Sequence, residues 1–265
     1  MEERYLEFAK EIAIVAGKIM LKYFNKDNQS SYKEDNTIVT IADTEINDYL
    51  IKQVKEEFKE HSVDGEENKY NNSNYVWVCD PIDGTAMYAR GIPTAVFSLA
   101  LVVNGKPIIG VIYDPFNNEM YYAQKGKGAY KNNQKITVND IKLNDMKSIS
   151  HYDMWPSSEY NIYDIIKELG TKTYFVSIGS IARACTNVAS GNFNLAIFPG
   201  TNHKNCDIAA AKIIVEEAGG KVTDLFGNEQ RYDNDINGAV ISNGIIHDEV
   251  ISIIKKNLKG VNNDW

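Results

Sequence analysis

The chain has 265 residues, 43% of them hydrophobic and 24% charged, enough to bury the core of one compact unit or of two tightly packed halves. Its formal net charge is -8, from 28 basic and 36 acidic residues, the reverse of a nucleic-acid binder's balance, so DNA and RNA are not expected partners. The longest apolar runs, such as Val96 to Val103, are too short to span a bilayer. The charged start Met1-Glu2-Glu3-Arg4 lacks an export signal's apolar stretch, and cysteines at 79, 185 and 206 only predict reduced thiols in a cytoplasmic protein.

In chain order, Leu6, Ala9, Ile12, Ala13, Ala16, Ile19, Met20 and Tyr23 recur at spacings of three and four, which predicts an amphipathic helix over 5–24. Polar residues 27–37 read as a loop. A second helix is expected from Asp43 to Glu60, with Ile46, Leu50, Val54 and Phe58 inward. Residues 68–74 are a turn-rich loop, and Tyr75–Cys79 a strand stopped by Asp80-Pro81, since proline cannot continue a central ladder. A meander follows. Ala95–Val103 and Pro107–Tyr113 flank Asn104-Gly105, a hairpin signal, and Glu119–Gln124 adds a strand.

Beyond residue 143 helices and strands alternate. Helices are predicted over 160–169, 180–190, 207–218 and 245–258. Strands are predicted over 173–178, 193–198, 221–223 and 238–242. Gly170, Gly191 and Gly219-Gly220 fall where helices end. The change of pattern divides the chain into an α+β N-terminal half (1–143) and an α/β C-terminal half (144–265), whose interface is a natural place for a site.

The strongest chemical signal is Asp80-Pro81-Ile82-Asp83-Gly84-Thr85 at the end of an apolar strand. Two carboxylates converging from one bend repel, and at neutral pH they need a cation or a shared proton. Oxygen ligands select hard ions, and magnesium is the natural candidate. Gly84 and Thr85 would then offer backbone N–H groups and a hydroxyl to a phosphate; the bland alternative is an Asp-rich turn. Asp64-Gly65-Glu66-Glu67 alone reads as a solvated loop, and Asp207 and Asp43 alone as helix N-caps. A calcium EF-hand is excluded by spacing. Zinc at His203-Lys204-Asn205-Cys206 lacks a second ligand pair, and no phosphate-binding glycine loop is present.

Taken together, Lys33-x-Asp35-x-Thr37-Ile38-Val39-Thr40-x-Ala42-Asp43, Gly65-Glu66-Glu67, Asp80-Pro81-Ile82-Asp83-Gly84-Thr85, Gly179-Ser180 and Cys206-Asp207-x-Ala209-Ala210 resemble the inositol monophosphatase family of magnesium-dependent, lithium-sensitive phosphatases. The resemblance covers nearly the whole chain. It implies a layered α/β/α/β/α sandwich, commonly a homodimer, that hydrolyses a small phosphorylated metabolite with two to three Mg2+ ions. Glu66, Asp80 and the Ile82 carbonyl would bind one ion, and Asp80, Asp83 and Asp207 a second. Glu66 would also support a third through water. Asp43 and Thr85 would orient the attacking water, and Gly84 and Thr85 would hold the phosphate. Gly179 and Ser180 would line the leaving-group pocket, with Lys33, Ile181, Phe198 and Asp207 also on the substrate side.

Four positions depart from the family pattern: Cys206 where tryptophan is usual, Met87-Tyr88 for Asn-Phe, and Phe198 near the expected inositol-binding glutamate. An apolar ring there would stack on a base or pack a larger leaving group. That keeps NADP(H) 2′-phosphate, fructose 1,6-bisphosphate and 3′-phosphoadenosine phosphates open beside inositol monophosphate. The three-residue spacing of Asp80 and Asp83 argues against a haloacid-dehalogenase-type phosphatase, which uses D-x-D. A non-catalytic metal- or nucleotide-binding regulator is the alternative from another class.

Overall fold

A computed structural model describes residues 2–26, 30–33, 38–153, 160, 162–200 and 204–258. Two amphipathic helices, α1 (Glu2–Tyr23) and α2 (Ile41–Glu57), bury Ala9, Ile12, Ala16, Met20, Ile46, Leu50 and Val54, the periodic positions of the sequence. Between them β1 (Ser31–Tyr32) and β2 (Ile38–Val39) pair antiparallel, so part of the predicted loop is a short ribbon.

Next come β3 (Ser62–Gly65), β4 (Lys69–Tyr70), β5 (Tyr75–Asp83), α3 (Thr85–Tyr88), β6 (Val96–Val103), β7 (Lys106–Asp114), β8 (Glu119–Gln124), β9 (Ala129–Lys131) and β10 (Gln134–Ile136). Their strands form one eight-stranded sheet in the order β10-β9-β8-β7-β6-β5-β3-β4. It is a meander apart from β3, which lies parallel to β5. At the β6–β7 corner Asn104 and Gly105 both take positive φ, 52° and 83°, the turn that the Asn-Gly pair favours because its twist matches the strands.

The chain continues through β11 (Ile149–Tyr152), α4 (Tyr163–Leu169), β12 (Tyr174–Val176), α5 (Ile181–Ala189), β13 (Leu195–Phe198), α6 (Asn205–Glu217), β14 (Lys221–Thr223), β15 (Ala239–Ser242) and α7 (His247–Asn257). The five strands order as β12-β11-β13-β15-β14, with β11 parallel to both neighbours.

Three apolar clusters hold five layers together. Helices α1 and α2 pack on the outer face of the large sheet. Helices α5 and α6 fill the space between the sheets, where Val76, Val78 and Ala100 of one meet Ala196 and Ile241 of the other. Helices α4 and α7 cover the far face of the small sheet. The α/β/α/β/α sandwich is thus the architecture of the chain.

Several sequence expectations are corrected. β5 does not stop at Asp80-Pro81. It runs on to Asp83 by taking one extra residue, since Asp80 faces Ser98 and Asp83 faces Val96 across β6. A bulge absorbs the proline that a regular ladder could not. Gly170 ends α4 at φ -62°, not in the left-handed conformation, whereas Gly191 and Gly219 have φ of 76° and 94°. Neither Asp43 nor Asp207 is an N-cap. Thr40 caps α2 and Lys204 precedes α6, which places each aspartate third in its helix. Strands β3, β9, β10 and β11 were not expected: β3 and β11 are four residues long and β9 and β10 three, too short to show a period of two.

Candidate active site

The bulge in β5 sets the chemistry. In a regular strand, residues three apart point to opposite faces. One inserted residue reverses that parity, and Asp80 and Asp83 converge. One carboxylate oxygen from each of Asp80, Asp83 and Asp207 lies within 4.8 Å of the others, and all three residues are buried. A second overlapping group joins Glu66, Asp80 and Cys206 on the same criterion. Asp207 reaches the cluster from the first turn of α6, and Glu66 follows β3, which pairs beside β5.

Each carboxylate is held by its surroundings. The Ile82 N–H donates to Asp80 Oδ1 at 2.9 Å. Asp83 Oδ2 accepts from Ala182 N at 2.9 Å and from the Ser180 hydroxyl, so it sits on the N-terminus of α5, where the helix dipole favours an anion. Burial, then repulsion by Glu66, Asp207 and Asp83, drives the Asp80 carboxyl well above its ordinary range. Burial and Asp207 do the same to Asp83. Asp207 is raised by burial, against the pull of Lys204. Glu66 goes the other way. Burial opposes its charge, but the Lys204 and Lys33 ammonium groups outweigh that and hold it low. Lys33 Nζ is 3.1 Å from Glu66 Oε1 and 2.6 Å from Glu67 Oε1.

Asp43 forms a second centre. Its Oδ2 accepts from Thr40 N at 2.8 Å and Thr40 Oγ1 at 2.6 Å. Its Oδ1 faces Thr85 Oγ1 at 3.4 Å, and that hydroxyl also lies 2.8 Å from the Ile82 carbonyl. Burial is the main reason its carboxyl rises to about 7, with the Thr40 hydrogen bonds opposing and Glu66 and Glu67 adding to the rise. Gly84 has φ 93°, and a Cβ there would lie 2.8 Å from Gly179 O. Only glycine admits that approach without strain, which is how the 80–85 and 179–182 segments come together.

Of the residues singled out in the sequence, Asp43, Glu66, Asp80, Ile82, Asp83, Gly84, Thr85, Gly179, Ser180, Asp207 and Lys33 gather in this region. Two others do not offer what was expected. The Phe198 side chain is 0% exposed and sits in the apolar cluster between the sheets, so its ring has no face for a base or leaving group. Ile181 is buried in the same cluster; its side chain serves packing. Asp35, Thr37 and His203 lie outside the described residues. Lys204 beside Glu66, Thr40 as cap and the Ala182 N–H on Asp83 are not legible in the sequence; the one signal is that Lys204 stands three residues before Asp207, within the His203–Cys206 run that reads as a zinc motif. A cavity of about 250 Å³, lined by Asp64, Gly65, Glu66, Lys69, Asn205 and Cys206, opens beside the cluster.

The donor set fits a hard divalent cation. Three mutually repelling buried carboxylates lose their repulsion when an ion shares their oxygens, and all-oxygen ligation suits Mg2+.

Comparison with known proteins agrees with that chemistry. A family model described as the inositol monophosphatase family matches residues 1–259. The fructose-1,6-bisphosphatase/inositol-1-monophosphatase of Thermotoga maritima is 30% identical over 255 residues, covering 95% of this chain and 96% of its own. A solved Thermotoga maritima IMPase superposes with a TM-score of 0.87 at 27% identity, over 98% of this chain and 100% of the other. A structure described as an IMPase/NADP phosphatase complexed with Mg2+ and phosphate has a TM-score of 0.79 at 26% identity, over 95% and 93%.

Proposed function

Because the chain belongs to the inositol monophosphatase family, a family of phosphatases, we propose that it is a magnesium-dependent phosphomonoesterase acting on a small phosphorylated polyol or sugar of the inositol monophosphate type. The observation that carries this reading is the buried convergence of Asp80, Asp83 and Asp207 beside the Asp43–Thr85 pair. Asp80, Asp83 and Asp207 would hold one ion, and Glu66 with Asp80 and the Ile82 carbonyl another. Bound there, Mg2+ supplies the positive charge that lets a phosphate dianion approach carboxylates and lowers the pKa of water.

The chain's own residues handle the proton. As water attacks phosphorus, its proton passes to Thr85 Oγ1 while the hydroxyl's proton passes to Asp43 Oδ1; the bond from phosphorus to the leaving oxygen breaks with its electron pair going to that oxygen, which takes a proton from solvent and departs as an alcohol. Asp43, raised to about 7, is matched to accept a proton near neutral pH. Gly84 and Thr85 face the phosphate, and Gly179 with Ser180 the leaving group. Phe198 is enclosed, so its ring offers no stacking face to a nucleotide base.

The test is phosphate release over a panel of inositol, sugar and nucleotide phosphates after exhaustive chelation and after Mg2+ is restored. Turnover should vanish and return, and be greatest on polyol or sugar monophosphates. Full turnover by the chelated protein would remove the metal reading. Preference for NADP(H) over every polyol phosphate would remove the substrate assignment alone.

A further inference from the structure

The carboxylate cluster already contains a cation of its own. Lys204 Nζ lies 2.6 Å from Glu66 Oε1, with side-chain exposures of 18% and 14%. The residue immediately precedes α6, with non-helical backbone at φ -116° and ψ 38°. Its ammonium therefore approaches from the same helix end as Asp207, and it is attracted also by Asp207 and Asp80. Lys33 meets the same Glu66 oxygen at the longer distance of 3.1 Å and has a second, closer partner in Glu67 at 2.6 Å. Glu66 Oε1 is thus the acceptor of two ammonium groups, and Lys204 makes the shorter contact.

We infer that Lys204 is a resident counter-ion of the cluster, competing for Glu66 with the divalent cation that the proposed function assigns to that residue. The inference rests on that metal reading. In the metal-free protein the ammonium offsets part of the negative charge that the fold has buried. A divalent ion arriving at the same oxygen meets a like charge in direct contact with it. Like charges at that range repel strongly in a partly buried site, so the ion binds only as Lys204 swings away. Its flexible four-carbon stem allows that movement, which a planar, forked guanidinium would resist. Lys204 is accordingly a positioning residue that lowers the affinity of the ion at Glu66.

Calorimetric titration of Mg2+ and Mn2+ into the metal-depleted full chain tests this. Lys204→Gln should tighten one site by about tenfold, within the usual span of coupling between two binding events. It should shift the Asp80–Asp83–Asp207 site in the same direction but by less, since Lys204 is attracted by Asp80 and Asp207 without the direct contact it makes with Glu66. Lys69→Gln is the control. It removes an equal charge from the same cavity, where Lys69 pairs with Asp64 at 2.7 Å, and should leave both sites unchanged. Unchanged or weakened binding in Lys204→Gln overturns the inference. Absence of any divalent binding by the wild type overturns the metal reading itself, so the two failures are distinct. Should Lys204→Gln not fold without metal, the wild type supplies the measurement by amine acylation and mass spectrometry. Lys204 should label slowly in the metal-free protein and several-fold faster with saturating Mg2+. Labelling that does not respond to metal overturns the inference.

Discussion

Replacing Asp43 by asparagine separates what this residue does for catalysis from what it costs the fold. The wild-type carboxyl rises from its ordinary 3.8 to about 7, first because it is buried. A raised carboxyl makes the folded state hold its proton more tightly than the unfolded chain does. The stability is therefore fully present below 3.8 and lost as pH rises through about 7. Above that window the ionised, buried group costs roughly 4 kcal/mol at 1.36 kcal/mol per pH unit. Asparagine has no charge to bury. It keeps one acceptor, however, and cannot serve both the Thr40 side and the Thr85 side, so about 1 kcal/mol of helix capping is at risk. The balance favours the variant. In metal-free buffer at pH 8, urea denaturation should find Asp43→Asn at least as stable as wild type, and its stability should fall less between pH 5 and pH 8. Phosphate release with Mg2+ should nonetheless drop by about 10²–10⁴ in kcat, the usual worth of a positioned proton acceptor, with KM little changed. A variant that keeps kcat within tenfold of wild type refutes the role. One that loses more than about 2 kcal/mol at pH 8 shows that Asp43 is chiefly a helix-capping residue.

Gly84→Ala should cost on the order of 1–3 kcal/mol and much of the activity, because φ is 93° and the new methyl would press on Gly179 O; a thermal melt and assay matching wild type would refute the close approach. Mg2+ should raise the melting temperature more at pH 8 than at pH 5.5. Burial and mutual repulsion lift the Asp80 and Asp83 carboxyls, so metal-free stability declines as pH rises toward their raised values and a cation restores it; equal increments at both pH values would contradict the sign. Phe198→Leu should lower stability by about 1–2 kcal/mol through lost core volume without altering the rank order of substrates, and a changed rank order would show that the ring does reach the ligand.

How much of this was legible in the sequence depends on the length over which a signal repeats. Helices α1 and α2 announce themselves over several turns, and β6–β7 through the Asn104-Gly105 turn. β3 and β11 do not, since four residues, largely buried, carry no alternation to read. β3 matters most, because it turns Asp64-Gly65-Glu66-Glu67 from an apparent solvated loop into a strand end beside β5. The Asp80–Asp83 pair was legible as a pair, but the means of convergence was not. Proline reads as a stop, whereas the ladder keeps its pairing on both sides of Pro81 by admitting one more residue. Phe198 failed for another reason. A one-dimensional match places a residue near a site without saying which way its strand presents it, and β13 turns this ring into the middle layer.

The middle layer explains why a site so acidic can be built at all. Asp80 and Asp83 come from the large sheet, Asp207 from α6, and the groups that bind Asp83 from the first turn of α5. Helices α5 and α6 are packed by apolar residues of both sheets, so the carboxylates cannot retreat from one another without opening that core. The apolar burial that fixes the helices thus opposes the repulsion that would spread the acids. Ser180, Ala182 and Lys204 reduce the repulsion at its edges: two hydrogen-bond donors for Asp83, one ammonium for Glu66. What they leave uncompensated lies among Asp80, Asp83 and Asp207, the point at which a divalent cation would bring the largest relief. Affinity for the ion and rigidity of the middle layer are then two consequences of one arrangement, and loosening α5 or α6 should weaken metal binding even where no ligand is touched.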